Sequence, residues 1–168
     1  MKNILLILFC CIYPFFALHA NAAEKIVRID PKGITVLFAK AGKSQIKIKI
    51  KTHIIDIGSE TDKRPEITRS NCTYTKFPCS VVNCIDIFVN GESIVTYDSI
   101  FTDIADLNTA KILIDKSKYF LILETGDISN GTIVKIEFNE FRVKGRIVES
   151  RRLRSRLEET KYYAITTR

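Results

Sequence analysis

The clearest pattern in the chain lies at residues 44–57, where Ile46, Ile48 and Ile50 alternate with Lys47, Lys49 and Lys51. Side chains on a strand point to opposite faces with a period of two, so a strand here puts the isoleucines on one face and the lysines on the other. A helix would scatter the same lysines around its circumference. The pattern predicts a strand with one dry face and one wet face.

Shorter segments carry the same signal. Residues 26–30 and 34–40 read as two strands around the turn residues Pro31, Lys32 and Gly33. Residues 81–89 run through Asn90-Gly91 into 93–97. Asn-Gly between two apolar runs marks a tight hairpin, because both turn positions need positive φ. Further strands are expected at 112–114, 119–124, 133–138, 141–148 and 162–166. A polar stretch at 58–78 forms the longest expected loop. Residues 98–110 are ambiguous and leave room for a helical turn around Ile104 and Leu107. Leu153 and Leu157, four apart within the charged segment 149–159, leave room for one short C-terminal helix.

These spacings describe an all-β fold, mainly antiparallel, in which a strand meander builds a sandwich or a partly closed barrel. The strand list does not choose between the two. Hydrophobic residues make up 46% and charged residues 27% of the 168, the balance of a globular chain.

The N-terminus follows a different rule. Lys2 precedes an apolar run over residues 4–18, which ends in His19-Ala20-Asn21-Ala22-Ala23. A positive start, an apolar stretch and a small-x-small end predict a cleaved signal peptide over 1–22, with a single mature domain over 23–168. The apolar run is interrupted by Pro14 and is shorter than the ~20 residues a membrane-spanning helix needs. Leu8 and Phe9 stand where a lipoprotein would need small residues before Cys10 or Cys11. The expected location is therefore periplasmic or secreted, and no segment of the mature form predicts a transmembrane span.

Export changes the remaining counts. The whole chain carries 26 basic and 19 acidic residues, a net charge of +7; without Lys2 the mature charge is +6. Three cysteines remain, Cys72, Cys79 and Cys84, together with one histidine, His53. Clustered cysteines in an oxidising compartment pair by default, so one disulfide tying the polar loop to the strand after it is expected. The spacing leaves open which two pair. A cysteine nucleophile with His53 as base would need the two to meet, and no spacing brings them together. The same three cysteines and one distant histidine lack the spacing of a zinc site. Carboxylate pairs at Glu124 and Asp127 or Asp103 and Asp106 are the other hydrolytic option, although acidic residues at turns ordinarily serve turn chemistry. No cofactor is expected.

The basic residues fall into two groups. Lys47, Lys49 and Lys51 share a strand face at a spacing of about 7 Å. Arg151, Arg152, Arg154 and Arg156 form a dense run, preceded by Arg142, Lys144 and Arg146. Such charges keep a surface soluble and strand edges apart; they also suit an acidic partner, with arginine's planar fork matched to carboxylates and phosphates. Export points away from nucleic acid and toward an acidic protein, with an anionic envelope component as the other possibility. The expectation is a non-enzymatic binding protein, acting as an inhibitor or immunity-type factor through its basic surface or disulfide-tied loop. The alternatives are a small envelope-acting hydrolase and a self-associating structural or assembly subunit. Asn71-Cys72-Thr73 and Asn130-Gly131-Thr132 match the glycosylation pattern, which matters only in a eukaryotic source.

Overall fold

Alternation of apolar and polar positions becomes ten strands in the computed structural model, which describes residues 25–55, 72, 78–116, 118–127, 129 and 131–163. The expected signal segment, most of the polar loop, and Asn71, Thr73 and Asn130 of the two glycosylation patterns lie outside the described residues.

The strands are β1 (Val27–Arg28), β2 (Gly33–Ala41), β3 (Ser44–Ile55), β4 (Cys79–Val89), β5 (Glu92–Ser93), β6 (Leu107–Asp115), β7 (Lys118–Thr125), β8 (Thr132–Phe138), β9 (Val143–Ser150) and β10 (Arg156–Lys161). They form two antiparallel sheets. One runs β1-β6-β7-β8-β9-β10 and the other β2-β3-β4-β5, and neither closes into a barrel. Almost every neighbour in a sheet is also a neighbour in sequence, so short hairpins make most of the connections.

The dry face of β3 sits where its alternation places it. Ile46, Ile48 and Ile50 are fully buried and face Ile85, Ile87 and Val89 of β4 through the register Ile46↔Val89, Ile48↔Ile87 and Ile50↔Ile85. The six-stranded sheet answers with Leu121, Leu123, Val134, Ile136 and Phe138, which join the same cluster. Each such side chain contributes about 1.5–3 kcal/mol on leaving water. Asn90 and Gly91 adopt φ of 55° and 89°, which forms the expected hairpin between β4 and β5. The Asn90 side chain also accepts from the Gln45 backbone, tying that turn to β3.

The segment between β5 and β6 is not helical beyond a 3-10 turn at Asp98–Ile100. It buries Ile94, Ile100, Phe101, Ile104 and Ala105. Its backbone stitches the sheets together. Val95 N–H donates to Phe141 O at one end, and Asp106 N–H donates to Ser80 O at the other.

One expectation fails at the C-terminus, and another is described only in part. No helix forms over 149–159; Ser150 and Arg151 lead into a hairpin and β10 pairs with β9. Leu153 and Leu157 are exposed, so their spacing of four meets no apolar partner. Arg154 takes the left-handed φ of 53° that reverses the chain, while Ser150 receives the Leu153 N–H on its hydroxyl and the Arg154 N–H on its carbonyl. Among the described residues β10 is the last strand, and Tyr162 and Tyr163 of the expected 162–166 strand follow it outside any strand. Tyr162 instead stacks on Tyr97 with ring centroids 4.7 Å apart, and 164–166 lie outside the described residues.

Candidate binding surface

Opposite the core, the wet face of the four-stranded sheet is built from three strands whose outward residues fall into rows. Register sets Phe38, Lys47 and Phe88 in one row, Val36, Lys49 and Asp86 in the next, and Ile34, Lys51 and Cys84 in the third. The lysines that alternation places on this face are thus flanked by apolar side chains. Ile34, Val36 and Phe38 on β2 are 58%, 36% and 69% exposed.

The lysines lean onto the aromatic rings. The Lys47 ammonium lies 5.8 Å from the Phe38 ring centre and that of Lys49 lies 5.3 Å from the Phe88 ring centre. Each contact is worth about 0.5–1 kcal/mol at an exposed position. Their aliphatic stems cover part of the sheet while the charges stay in water. Between them is an open depression of about 620 Å³ lined by Phe38, Lys40, Gln45, Lys47, Lys49 and Phe88.

The arginine run lies elsewhere, in the β9–β10 hairpin of the other sheet. Arg151 approaches Glu124 at 3.5 Å and Arg156 pairs with Glu159, so half of that run already meets carboxylates of its own chain. Arg152 and Arg154 are exposed. The two basic groups share no element, and the structure does not merge them into one patch.

Arg146 departs from the surface role its neighbours suggest. It is 3% exposed, and its two terminal nitrogens donate to Asp103 Oδ2 at 2.6 Å and Glu158 Oε1 at 2.7 Å. Arg142 donates to the Tyr162 carbonyl at 3.4 Å. Both residues tie strands together.

Cys72 and Cys79 form the disulfide, with Cα atoms 6.0 Å apart. Cys79 is buried with Val81 and Ala105, and Ile55 and Cys72 pack against that small cluster. The bond joins the polar loop to the first residue of β4. Cys84 is free and partly exposed on the wet face, where its thiol donates to Asp86 at 3.2 Å. Burial first, then the hydrogen bond and negative charge of Asp86, push the Cys84 thiol above its ordinary range, against a smaller opposing pull from Lys51. That direction is opposite to the one an activated nucleophile needs.

The other catalytic candidates have structural partners. His53 is exposed on β3, paired in register with Val81. Asp103 is engaged by Arg146 and Glu124 by Arg151. Asp106 takes a φ of 47° and accepts the Ser80 N–H on its side chain and the Gly126 N–H on its carbonyl. Asp127 accepts from both the backbone and the hydroxyl of Ser129. Among the described residues no group of three histidines, cysteines or carboxylates could hold a metal ion, and no helix is long and apolar enough to cross a membrane.

The apolar half of this face, Ile34, Val36, Phe38 and Phe88, was not among the residues the sequence marks for binding. Its one sequence signal is that 34–40 is apolar on both alternating faces. Comparison with protein-family models, curated proteins and solved structures finds no match to this chain.

Proposed function

We propose that this chain is an exported protein-binding module, with the wet face of the four-stranded sheet as its contact surface and an acidic protein as its partner. The observation that carries the reading is the row of Lys47, Lys49 and Lys51 set among exposed Ile34, Val36 and Phe38 and half-buried Phe88. Solubility alone calls for lysines in water. It does not call for three exposed apolar side chains beside them, and aromatic and aliphatic side chains ringed by charge are the composition of a contact surface. The mature net charge of +6 favours encounter with an acidic partner.

Export is supported by the charge and apolar pattern of residues 1–22 and is compatible with the Cys72–Cys79 disulfide, a bond that persists in oxidising compartments. An inhibitor or immunity-type role fits a rigid sheet presenting a fixed surface. The lysine face is a better candidate than the arginine run, because Arg151 and Arg156 are already engaged by Glu124 and Glu159.

The test is affinity capture by the oxidised protein from its native envelope or medium, repeated after Lys47→Glu, Lys49→Glu and Lys51→Glu together, and separately after reversal of Arg151, Arg152, Arg154 and Arg156. The expected result is an acidic protein whose capture weakens with salt and is lost on the lysine reversal. Capture that survives the lysine reversal sinks the assignment of this face.

A further inference from the structure

We infer that β2 is a docking edge at which an extended, acidic segment of the partner adds as a fifth strand to the four-stranded sheet. This deepens the reading above and rests on it for the sign of the partner's charge.

The two sheets have four edges, and three of them are blunted. β1 and β5 are two residues long. β10 is lined with Arg156, Glu158, Glu159 and Lys161. Short strands and charged side chains are the usual protections against unwanted strand pairing. β2 has neither. It runs nine residues from Gly33 to Ala41 without proline, carries charge only at Lys40, and pairs with β3 in an unbroken register. Among the described residues no strand pairs with its other side. In an antiparallel pair, alternate residues turn their N–H and C=O groups away from the partner, so about four residues of β2 present unpaired groups.

Side chains select the occupant. The outward residues of β2 are Ile34, Val36, Phe38 and Lys40, and Lys32 is exposed just before the strand. A strand added at this edge places its own side chains about 4.5–5.5 Å from these. Apolar side chains therefore fall opposite Ile34, Val36 and Phe38, and acidic ones suit the two lysine-bearing ends. Lys47, Lys49 and Lys51 stand one strand further in and add to the same field.

A second copy of this chain fits less well. Two-fold antiparallel pairing centred on Val36 would set Ile34 against Phe38, which is favourable. It would also set Lys40 of each copy against Lys32 of the other, between two mature chains that each carry +6. Like charges directly opposed are destabilising, whereas a partner with acidic ends removes that conflict. Charge complementarity selects the acidic partner.

The probe is an eleven-residue peptide with Ile, Val and Phe at alternate central positions and Glu on both flanks. It is compared with a version carrying Lys for Glu and with one N-methylated along a single backbone edge. Binding to the oxidised full chain is read by fluorescence anisotropy, and amide hydrogen exchange locates it. The expected result is binding by the Glu peptide, with new protection confined to β2. Affinity should fall about tenfold or more for the Lys peptide, for the N-methylated peptide, and for the Glu peptide against Val36→Lys. Val36 is already partly exposed, so this variant should fold, which circular dichroism checks. Equal affinity of the N-methylated peptide, or protection elsewhere, overturns strand addition while leaving an acidic partner on the lysine face intact. Absence of any Glu-peptide binding overturns it too, and the lysine-reversal capture then decides the broader reading independently. A concentration-dependent dimer, lost in Val36→Lys on sedimentation, overturns it in favour of the second copy.

Discussion

The Arg146 cluster supports a sharp prediction, because the arginine and its partners are unequally buried. The guanidinium is 3% exposed, whereas the side chains of Asp103 and Glu158 are 34% and 50% exposed. The arginine Nε and Asp103 Oδ1 are buried without a hydrogen-bond partner among the described residues. Taking an ion out of water costs several kcal/mol, and pairing offsets this fully only when the remaining donors are also satisfied. Here one donor is idle, so the cluster should contribute little net stability while depending on both carboxylates.

Two perturbations separate those statements. Arg146→Met keeps much of the apolar volume and removes the cation, and the carboxylates left behind can be rehydrated. The expected change is within about 1.5 kcal/mol of zero, in either direction. Asp103→Asn combined with Glu158→Gln keeps the shapes and leaves the cation buried without a counter-charge. That should cost about 3–5 kcal/mol. Urea unfolding of the oxidised protein, followed by circular dichroism with the slope m checked for constancy, reads both values. Arg146→Met costing as much as the double carboxylate variant would refute the reasoning, since the buried cation would then not be the liability.

Other expectations follow from single features. Replacing both Cys72 and Cys79 with Ser releases a short loop, and calorimetry should show a loss of about 2–3 kcal/mol. Alkylation of Cys84 near pH 8 should be slow, because burial and Asp86 hold the thiol protonated; Asp86→Asn should speed it, and an unchanged rate would remove Asp86 from the account. A Cβ on Gly131 would fall 2.3 Å from Thr125 O and 2.4 Å from Asp127 O, so Gly131→Ala must displace backbone; a cost of about 1–3 kcal/mol by chemical denaturation is expected.

Much of the fold was legible because alternation is a local property. Ile46, Ile48 and Ile50 mark the dry face of β3 wherever its neighbours lie, and Asn90-Gly91 makes its turn from backbone requirements alone. The choice between sandwich and barrel was not legible, because the same strands satisfy both until edge pairing is known. The C-terminal segment shows how tertiary context overrides a weak local signal. Leu153 and Leu157 offer a helix only four apart, whereas a strand there pairs with the free edge of β9 and brings Glu158 to Arg146.

Charge and exposure were harder to read than strand pattern, for the same physical reason. Arg142, Lys144 and Arg146 look alike in sequence, yet Arg146 is buried because β10 and the segment carrying Asp103 converge on it. Residues 34–40, apolar on both faces, would ordinarily mark a strand covered on both sides. The described residues leave the outer face of their sheet uncovered, so Thr35 and Leu37 reach the core while Ile34, Val36 and Phe38 face water. A strand composed for two-sided burial but covered on one side by the described residues is mismatched to its surroundings. The mismatch is relieved if a partner covers the second side. On the proposed reading, the three lysines on β3 set that partner's charge and the apolar row on β2 meets its apolar side chains.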